Sequence, residues 1–361
     1  MTRIAGHMNS PSGANVTHNA ADPGFTYYGR WHAGTTAISI NSGSTVEFAY
    51  VGRECTLVFD VSGFTQFPAV FVQVDGGNIS KTTLSRDVGA VPVMPAYRAM
   101  PAGQPPFPVV SSRYHLVRFW IATHSLYLMP ETGKQWTTLV GGCKFRGAAL
   151  GDGKLIPLPR SPNQIEFLGD SITQGLRLLY TGTDNDIGQQ MPYANWPQLV
   201  ADMLGMKPVV TGFGGHGLTS RGTCGVPPTN ESFPYVYDNV RWKPAVEPLV
   251  VVIYHGTNDG VPATEFENHY RTYLATIRKA YPKAVIFAAC PHNRTDYAPA
   301  IRNAVGKMRD QRILFLDYSS GVISADETCD GCHLNPGGAV ALAIKLAGDI
   351  RSHLGPDAAV V

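Results

Sequence analysis

The sequence predicts two domains of different class. An N-terminal all-β sandwich or jelly roll precedes a C-terminal α/β three-layer domain on a parallel, flavodoxin-like sheet. Three observations predict this. The first 150 or so residues hold short runs of alternating apolar and polar residues, with no long helical period between them. Beyond Asn163, apolar strand-like runs alternate with amphipathic helical ones. The 38 glycines and 27 prolines exceed the roughly 12% of an average chain, which favours turns over a helical bundle.

At 361 residues the chain is long enough for two domains. Residues 1–22 read as a flexible tail, 23–150 as the β-domain, 151–163 as a linker carrying Pro157, Pro159 and Pro162, and 164–361 as the α/β domain. In the β-domain Val46, Phe48 and Tyr50 alternate with polar neighbours, as do Cys55, Leu57 and Phe59. Val70, Val72 and Val74 run into Asp75-Gly76, a hairpin dipeptide. Val117, Phe119 and Ile121 form another strand, and Pro101 to Pro108 reads as a surface loop.

The α/β domain opens with a short strand, 165–168. A helix over 193–204 stops at Gly205, and a strand follows at 208–211. Pro248 to Tyr254 is nearly continuous in apolar residues, as a buried parallel strand requires. A helix over 264–281, a strand over 284–289, a helix over 298–308 and a strand over 313–316 come next. Asn335-Pro336 opens a final helix that runs to about His353.

Hydrophobic residues at 44% exclude global disorder. A net charge of +2 argues against a surface built to neutralise phosphates, so no nucleic-acid partner is expected. No apolar run reaches the ~18 residues that span a bilayer, and no membrane partner is expected. The N-terminus lacks a signal-peptide apolar core, so the chain reads as cytoplasmic, or as secreted with its leader removed. Six cysteines are too sparse for a disulfide scaffold. The pairing of Cys224, Cys329 and Cys332 stays open, as does the oligomeric state.

Four loops carry chemistry, each where a parallel sheet gathers function, beyond the carboxyl ends of strands. Ser171, in Gly169-Asp170-Ser171, stands at a strand-to-helix turn whose amide is free to help hold an oxyanion. Gly212-Phe213-Gly214-Gly215-His216-Gly217 lets backbone approach a ligand. His255-Gly256-Thr257-Asn258-Asp259 offers Asn258, a neutral amide donor. Asp330-Gly331-Cys332-His333 places a carboxylate where it can orient an imidazole. Taken singly, each also reads as a cap or turn. The last also fits C-x-x-C-H, a haem-attachment pattern, through Cys329 and Cys332. A haem leaves the other three loops unexplained, and a zinc site lacks a second ligand pair.

In order, the four loops resemble the blocks of the SGNH, or GDSL, hydrolases over about residues 163–354. Two departures are present: no Asn precedes the glycines of the second block, and Leu334 rather than Pro follows His333. The resemblance implies Ser171 as nucleophile, His333 as base and then acid, and Asp330 as the orienting carboxylate. It implies Ser171, Gly215 and Asn258 as oxyanion donors, an acyl-serine intermediate, and no metal or cofactor. The whole chain more loosely resembles two-domain carbohydrate esterases of the acetylxylan-deacetylating kind, through Gly29-Arg30-Trp31, Val72 to Gly76 and Ile165 to Thr173. That implies an acylated carbohydrate or another small ester as substrate. A broad short-chain carboxylesterase or thioesterase, and a carbohydrate-binding protein with a vestigial hydrolase domain, are the alternatives. Asp170, His216, His255, Tyr193 and Trp196 are candidates for the substrate pocket, each with a core or loop role as its rival.

Overall fold

The computed structural model describes residues 16–93, 114–123, 135–139, 141–180, 182, 187–223 and 225–355. The proline-rich stretch 101–108 and Cys224 lie outside the described residues. The N-terminal part consists of antiparallel strands: β1 His18–Asn19, β2 Thr26–Tyr28, β3 Ala37–Ser39, β4 Thr45–Val51, β5 Thr56–Phe59, β6 Ala69–Val74, β7 Ser80–Thr83, β8 Ala90–Pro92, β9 His115–Ala122, β10 Cys143–Ala149 and β11 Lys154–Ile156. A one-turn helix, α1 Gln135–Thr138, precedes β10.

One sheet runs β1-β10-β5-β8 with β3 beside β10. The other runs β11-β4-β9-β6-β7 with β2 beside β4. Val46, Phe48 and Tyr50 from one sheet and Leu57, Phe59 and Phe145 from the other share a single apolar core. The expected hairpin is present between β6 and β7. Asp75 (φ 51°) and Gly76 (φ 70°) are both left-handed, as a turn matching strand twist requires, and the Gly77 N–H closes it on Val74 O at 2.8 Å. Two boundaries differ from the sequence reading. Residues His18–Asn19 of the expected tail pair with β10, and Lys154–Ile156 of the expected linker pair with β4.

The C-terminal part carries a second kind of sheet. Its elements are β12 Gln164–Gly169, α2 Ser171–Gln174, α3 Trp196–Leu204, β13 Lys207–Gly212, α4 Thr229–Ser232, the small hairpin β14 Tyr235–Tyr237 and β15 Val240–Arg241, β16 Val250–Tyr254, α5 Ala263–Ala280, β17 Val285–Cys290, α6 Ala298–Met308, β18 Ile313–Asp317 and α7 Pro336–Leu354. Strands β12, β13, β16, β17 and β18 are all parallel, in the order β13-β12-β16-β17-β18. Helices α3 and α7 cover one face and α5 and α6 the other, each over its own apolar cluster. Both faces being covered, β16 is apolar throughout. No described helix is long and apolar enough to cross a membrane.

The two parts pack tightly. The outer face of the β4-β9-β6 sheet, with Phe71 and Trp120, is covered by Ile187 and Tyr193. Trp120 Nε1–H donates to Gln198 on α3 at 2.9 Å. Arg30, 1% exposed, donates to Glu166 of β12 at 2.8 Å and to the carbonyls of Phe233 and Tyr235 at 2.5 and 3.0 Å. A buried pair with its remaining donors satisfied avoids the cost of stranded charge.

Candidate active site

The carboxyl end of β12 turns directly into α2. Gly169 is required at that junction: a Cβ there would collide with the Thr173 hydroxyl and lie 3.0 Å from Tyr254 O. Asp170 caps α2, accepting the Ile172 N–H at 2.9 Å. Ser171 is the first residue of the helix, 3% exposed. Beneath it, Trp196 Nε1–H donates to Ile172 O at 3.0 Å, and Asn195 Nδ2–H to Thr173 O at 2.8 Å.

Ser171 Oγ lies 2.9 Å from His333 Nε2. His333 Nδ1–H donates to Asp330 Oδ2 at 2.7 Å, which leaves Nε2 as the bare nitrogen facing the hydroxyl. Asp330 Oδ1 accepts the backbone N–H of His333 and Cys332 at 2.7 and 3.1 Å. Arg177 Nη1–H reaches Oδ2 at 2.8 Å. Partial burial pushes the Asp330 carboxyl up, but these donors outweigh it and hold it well below the usual carboxylate range. Both ring nitrogens of His333 are thus engaged, and Cys329 and Cys332 are free thiols raised by burial. That arrangement is unlike the haem reading of C-x-x-C-H.

The glycine loop after β13 and the loop after β16 are joined to the same junction. The Phe213–His216 turn is closed by His216 N–H on Phe213 O at 3.2 Å, with Gly215 left-handed at φ 67°. Asn258 Nδ2 donates to His216 O at 3.0 Å and to Asp170 Oδ2 at 3.3 Å. The Asp259 carboxylate accepts the N–H of Leu218 and Thr219 at 3.2 and 2.7 Å, fixing the chain that leaves the glycine loop. Full burial pushes the Asp170 carboxyl up to about 7, against the pull of the Ile172 N–H.

The structure brings Ser171, His333 and Asp330 into one hydrogen-bonded chain, and links Asp170, Asn258 and the Gly215 turn in another. Of the pocket candidates, Asp170 is part of that second network, whereas the side chains of Trp196, Tyr193, His216 and His255 lie outside both. Trp196 is fully buried against Phe167, edge-on at 5.2 Å, so it offers no face to a sugar. Its helix begins at Trp196 rather than 193 because Asn195 supplies the N-cap. Tyr193 is half-buried between Phe71 and Trp120, ring centroids 5.5 and 6.0 Å away, at the seam between the two parts. His216 and His255 are buried behind the loops, 5.4 Å apart edge to face. His216 Nε2–H donates to Pro227 O at 2.8 Å. Burial lowers His216 to about 4 and His255 well below the ordinary histidine value.

Two arginines escaped the sequence reading. Arg294 Nη1 donates to Gly256 O, Thr257 O and Asp259 O, at 2.5, 3.2 and 2.7 Å, and so clamps the loop bearing Asn258. Arg177 contacts Asp330 from the turn after α2. Neither stands in a motif, and neither partnership is local in sequence.

Residues 167–339 match the family model of the GDSL-like lipases and acylhydrolases. No curated protein sequence matches the chain. Solved structures share its fold over nearly all of its length. A family two carbohydrate esterase from Clostridium thermocellum, in complex with cellohexaose, is 22% identical with a TM-score of 0.75, covering 92% of this chain and 99% of that one. A carbohydrate esterase family 2 enzyme plus carbohydrate-binding domain from Corynascus thermopiles is 21% identical, TM-score 0.74, with the same coverage. An acetyl xylan esterase from the rumen bacterium Butyrivibrio proteoclasticus is 15% identical, TM-score 0.69, covering 96% of this chain and 99% of that one. Over residues 167–339 the chain is thus similar to the GDSL-like lipases and acylhydrolases, and it sets that stretch in a two-part fold shared with the family two carbohydrate esterases.

Proposed function

We propose that the protein is a serine esterase that removes short acyl groups, acetyl above all, from an acylated carbohydrate. The observation that carries this is the chain Ser171 Oγ–His333 Nε2 (2.9 Å) and His333 Nδ1–Asp330 Oδ2 (2.7 Å). In that geometry Ser171 Oγ attacks the ester carbonyl carbon as His333 Nε2 takes its proton. The Ser171 and Gly215 amides and the Asn258 side chain receive the oxyanion. Collapse breaks the bond to the sugar oxygen, which leaves with the proton from His333, and the acyl group stays on Oγ. Water, deprotonated by Nε2, attacks the acyl carbon; the bond to Oγ breaks, His333 returns the proton to Ser171 Oγ, and the carboxylic acid leaves. The order β13-β12-β16-β17-β18, which is 2-1-3-4-5 within this sheet, supports a flavodoxin-like class. In such sheets ligands sit where strand order reverses, and Ser171 follows β12 at that point. The carbohydrate assignment is supported by the fold shared with the two carbohydrate esterases and the acetyl xylan esterase.

Hydrolysis of p-nitrophenyl acetate and release of acetate from acetylated xylan test the reading together. Wild type is expected to do both, and Ser171→Ala to lose about 10⁴-fold or more of kcat with its fold intact. Activity on the nitrophenyl ester without acetate release from any acetylated saccharide selects the broad carboxylesterase instead. Full activity in Ser171→Ala rejects the nucleophile.

A further inference from the structure

The carboxylate that orients His333 carries a second cation. Asp330 Oδ2 accepts the imidazole N–H at 2.7 Å and, on the same atom, an Arg177 N–H at 2.8 Å. Arg177 does not belong to the Asp330 loop. It lies in the turn that leaves α2, where the Gly175 and Leu176 N–H groups both fold back on Ser171 O, at 3.1 and 3.0 Å. There its backbone is left-handed, φ 57°, a region that side chains larger than Asn seldom enter. The side chain is 12% exposed, and the guanidinium lies over the Tyr180 ring at 5.1 Å. The turn that bears the nucleophile is thus curled to present a largely buried cation to the carboxylate beyond His333.

We propose that Arg177 is a positioning residue for the reaction, resting on the triad reading above. It ties the Asp330–His333 loop to the turn of Ser171, and by sharing Oδ2 it limits how far Asp330 favours the imidazolium. A carboxylate oxygen already bonded to one cation attracts a second less strongly, and the two cations repel each other. Fixed geometry and a restrained base are two results of one contact. The other titratable groups around this pair are Ser171 and Asp170 from the β12–α2 junction, Tyr254 and His292 from the carboxyl ends of β16 and β17, and Cys329 and Cys332 from their own loop. Of the groups named here, Arg177 alone is held as a cation against Asp330 by a direct bond in the resting site.

The test compares pH–rate profiles on p-nitrophenyl acetate for the full-length wild type, Arg177→Gly and Arg177→Lys, with fluorophosphonate labelling of Ser171 in each. Glycine suits the left-handed backbone, so this variant removes the guanidinium without straining the turn. In Arg177→Gly we expect kcat to fall about 10- to 100-fold with KM changed less than about twofold, the pattern of lost transition-state alignment. We also expect the acid limb of kcat/KM to move up by about half a pH unit or more, and Arg177→Lys to bring it back. An acid limb that stays put in Arg177→Gly, whatever its kcat, overturns the proposal. So does one that moves but does not return with lysine. Failure of the wild type to label at Ser171 rejects the triad reading itself, a result distinct from either.

Discussion

Asn258 holds two acceptors at once. Its amide bonds to His216 O at 3.0 Å and to Asp170 Oδ2 at 3.3 Å, so in the proposed mechanism an oxyanion takes over one of these two bonds. Burial pushes the Asp170 carboxyl up to about 7, so near neutral pH it is partly protonated, and its neutral form competes less for the Asn258 amide. Asn258→Ala is expected to lower kcat by about 10²–10³, with KM little changed. Asn258→Asp should be at least as damaging, because it sets a carboxylate against the Asp170 carboxyl and the His216 carbonyl. Steady-state kinetics of the Asp variant decide: near-normal kcat returns Asn258 to the role of a turn former. That residues 171, 258, 330 and 333 meet at one end of the sheet was legible in the sequence, because each sits in a short loop directly after a strand or before the last helix. Arg177 was not, because a left-handed arginine has no local signature, and its partner arrives from the far end of the chain.

At the scale of elements, the parallel strands were legible to within a residue or two. Covered on both faces, β16 and β17 are apolar runs with sharp ends, and β12 is broken only by Gln164 and Glu166. The N-terminal strands were harder to bound. The outer face of β4, β6 and β9 is buried by the second half of the chain, so their alternation is blurred: β4 is buried from Thr45 to Tyr50. The edge pairings of β1 and β11 involve runs too short to carry a period. The junction of β12 and α2 depends on a missing side chain. Gly169→Ala presses a Cβ on the Thr173 hydroxyl and the Tyr254 carbonyl. Overpacking of that kind costs about 1–3 kcal/mol, read as a fall of several degrees in Tm. Because Thr173 belongs to the same helical turn as Ser171, kcat should fall as well. A Gly169→Ala protein with wild-type Tm would mean that the junction relaxes freely.

For the whole molecule, the buried histidines dominate the response to acid. His216, His255 and His292 are each lowered by burial, so from about pH 6.5 down to about 5 the unfolded chain takes up protons that the fold refuses. Stability is therefore lost as pH falls through that window. Asp170 and Asp202, raised by burial, act in the opposite sense, since the fold keeps protons there that the unfolded chain has released. The three histidines outnumber the two carboxyls, so the expected net effect is a loss of stability as the pH falls. Asp330, held low, contributes stability that is lost only below the ordinary carboxylate value, outside this window. Chemical denaturation at pH 6.5, 5.5 and 5 should show the decline, and His255→Asn should flatten it by removing one of the three. An equal slope in that variant would assign the acid sensitivity to other groups.

The Arg30–Glu166 pair has a bearing on how such a chain can be recombined. Glu166 belongs to β12, an interior strand of the hydrolase sheet flanked by β13 and β16, and its cation comes from the far side of the seam. A hydrolase half cut loose near residue 150 would retain this carboxylate without the guanidinium that pairs with it. Any N-terminal half grafted in its place would need to deliver a guanidinium at the same depth. A shuffled gene that separates the two halves therefore loses the counter-charge of a buried strand in its sheet.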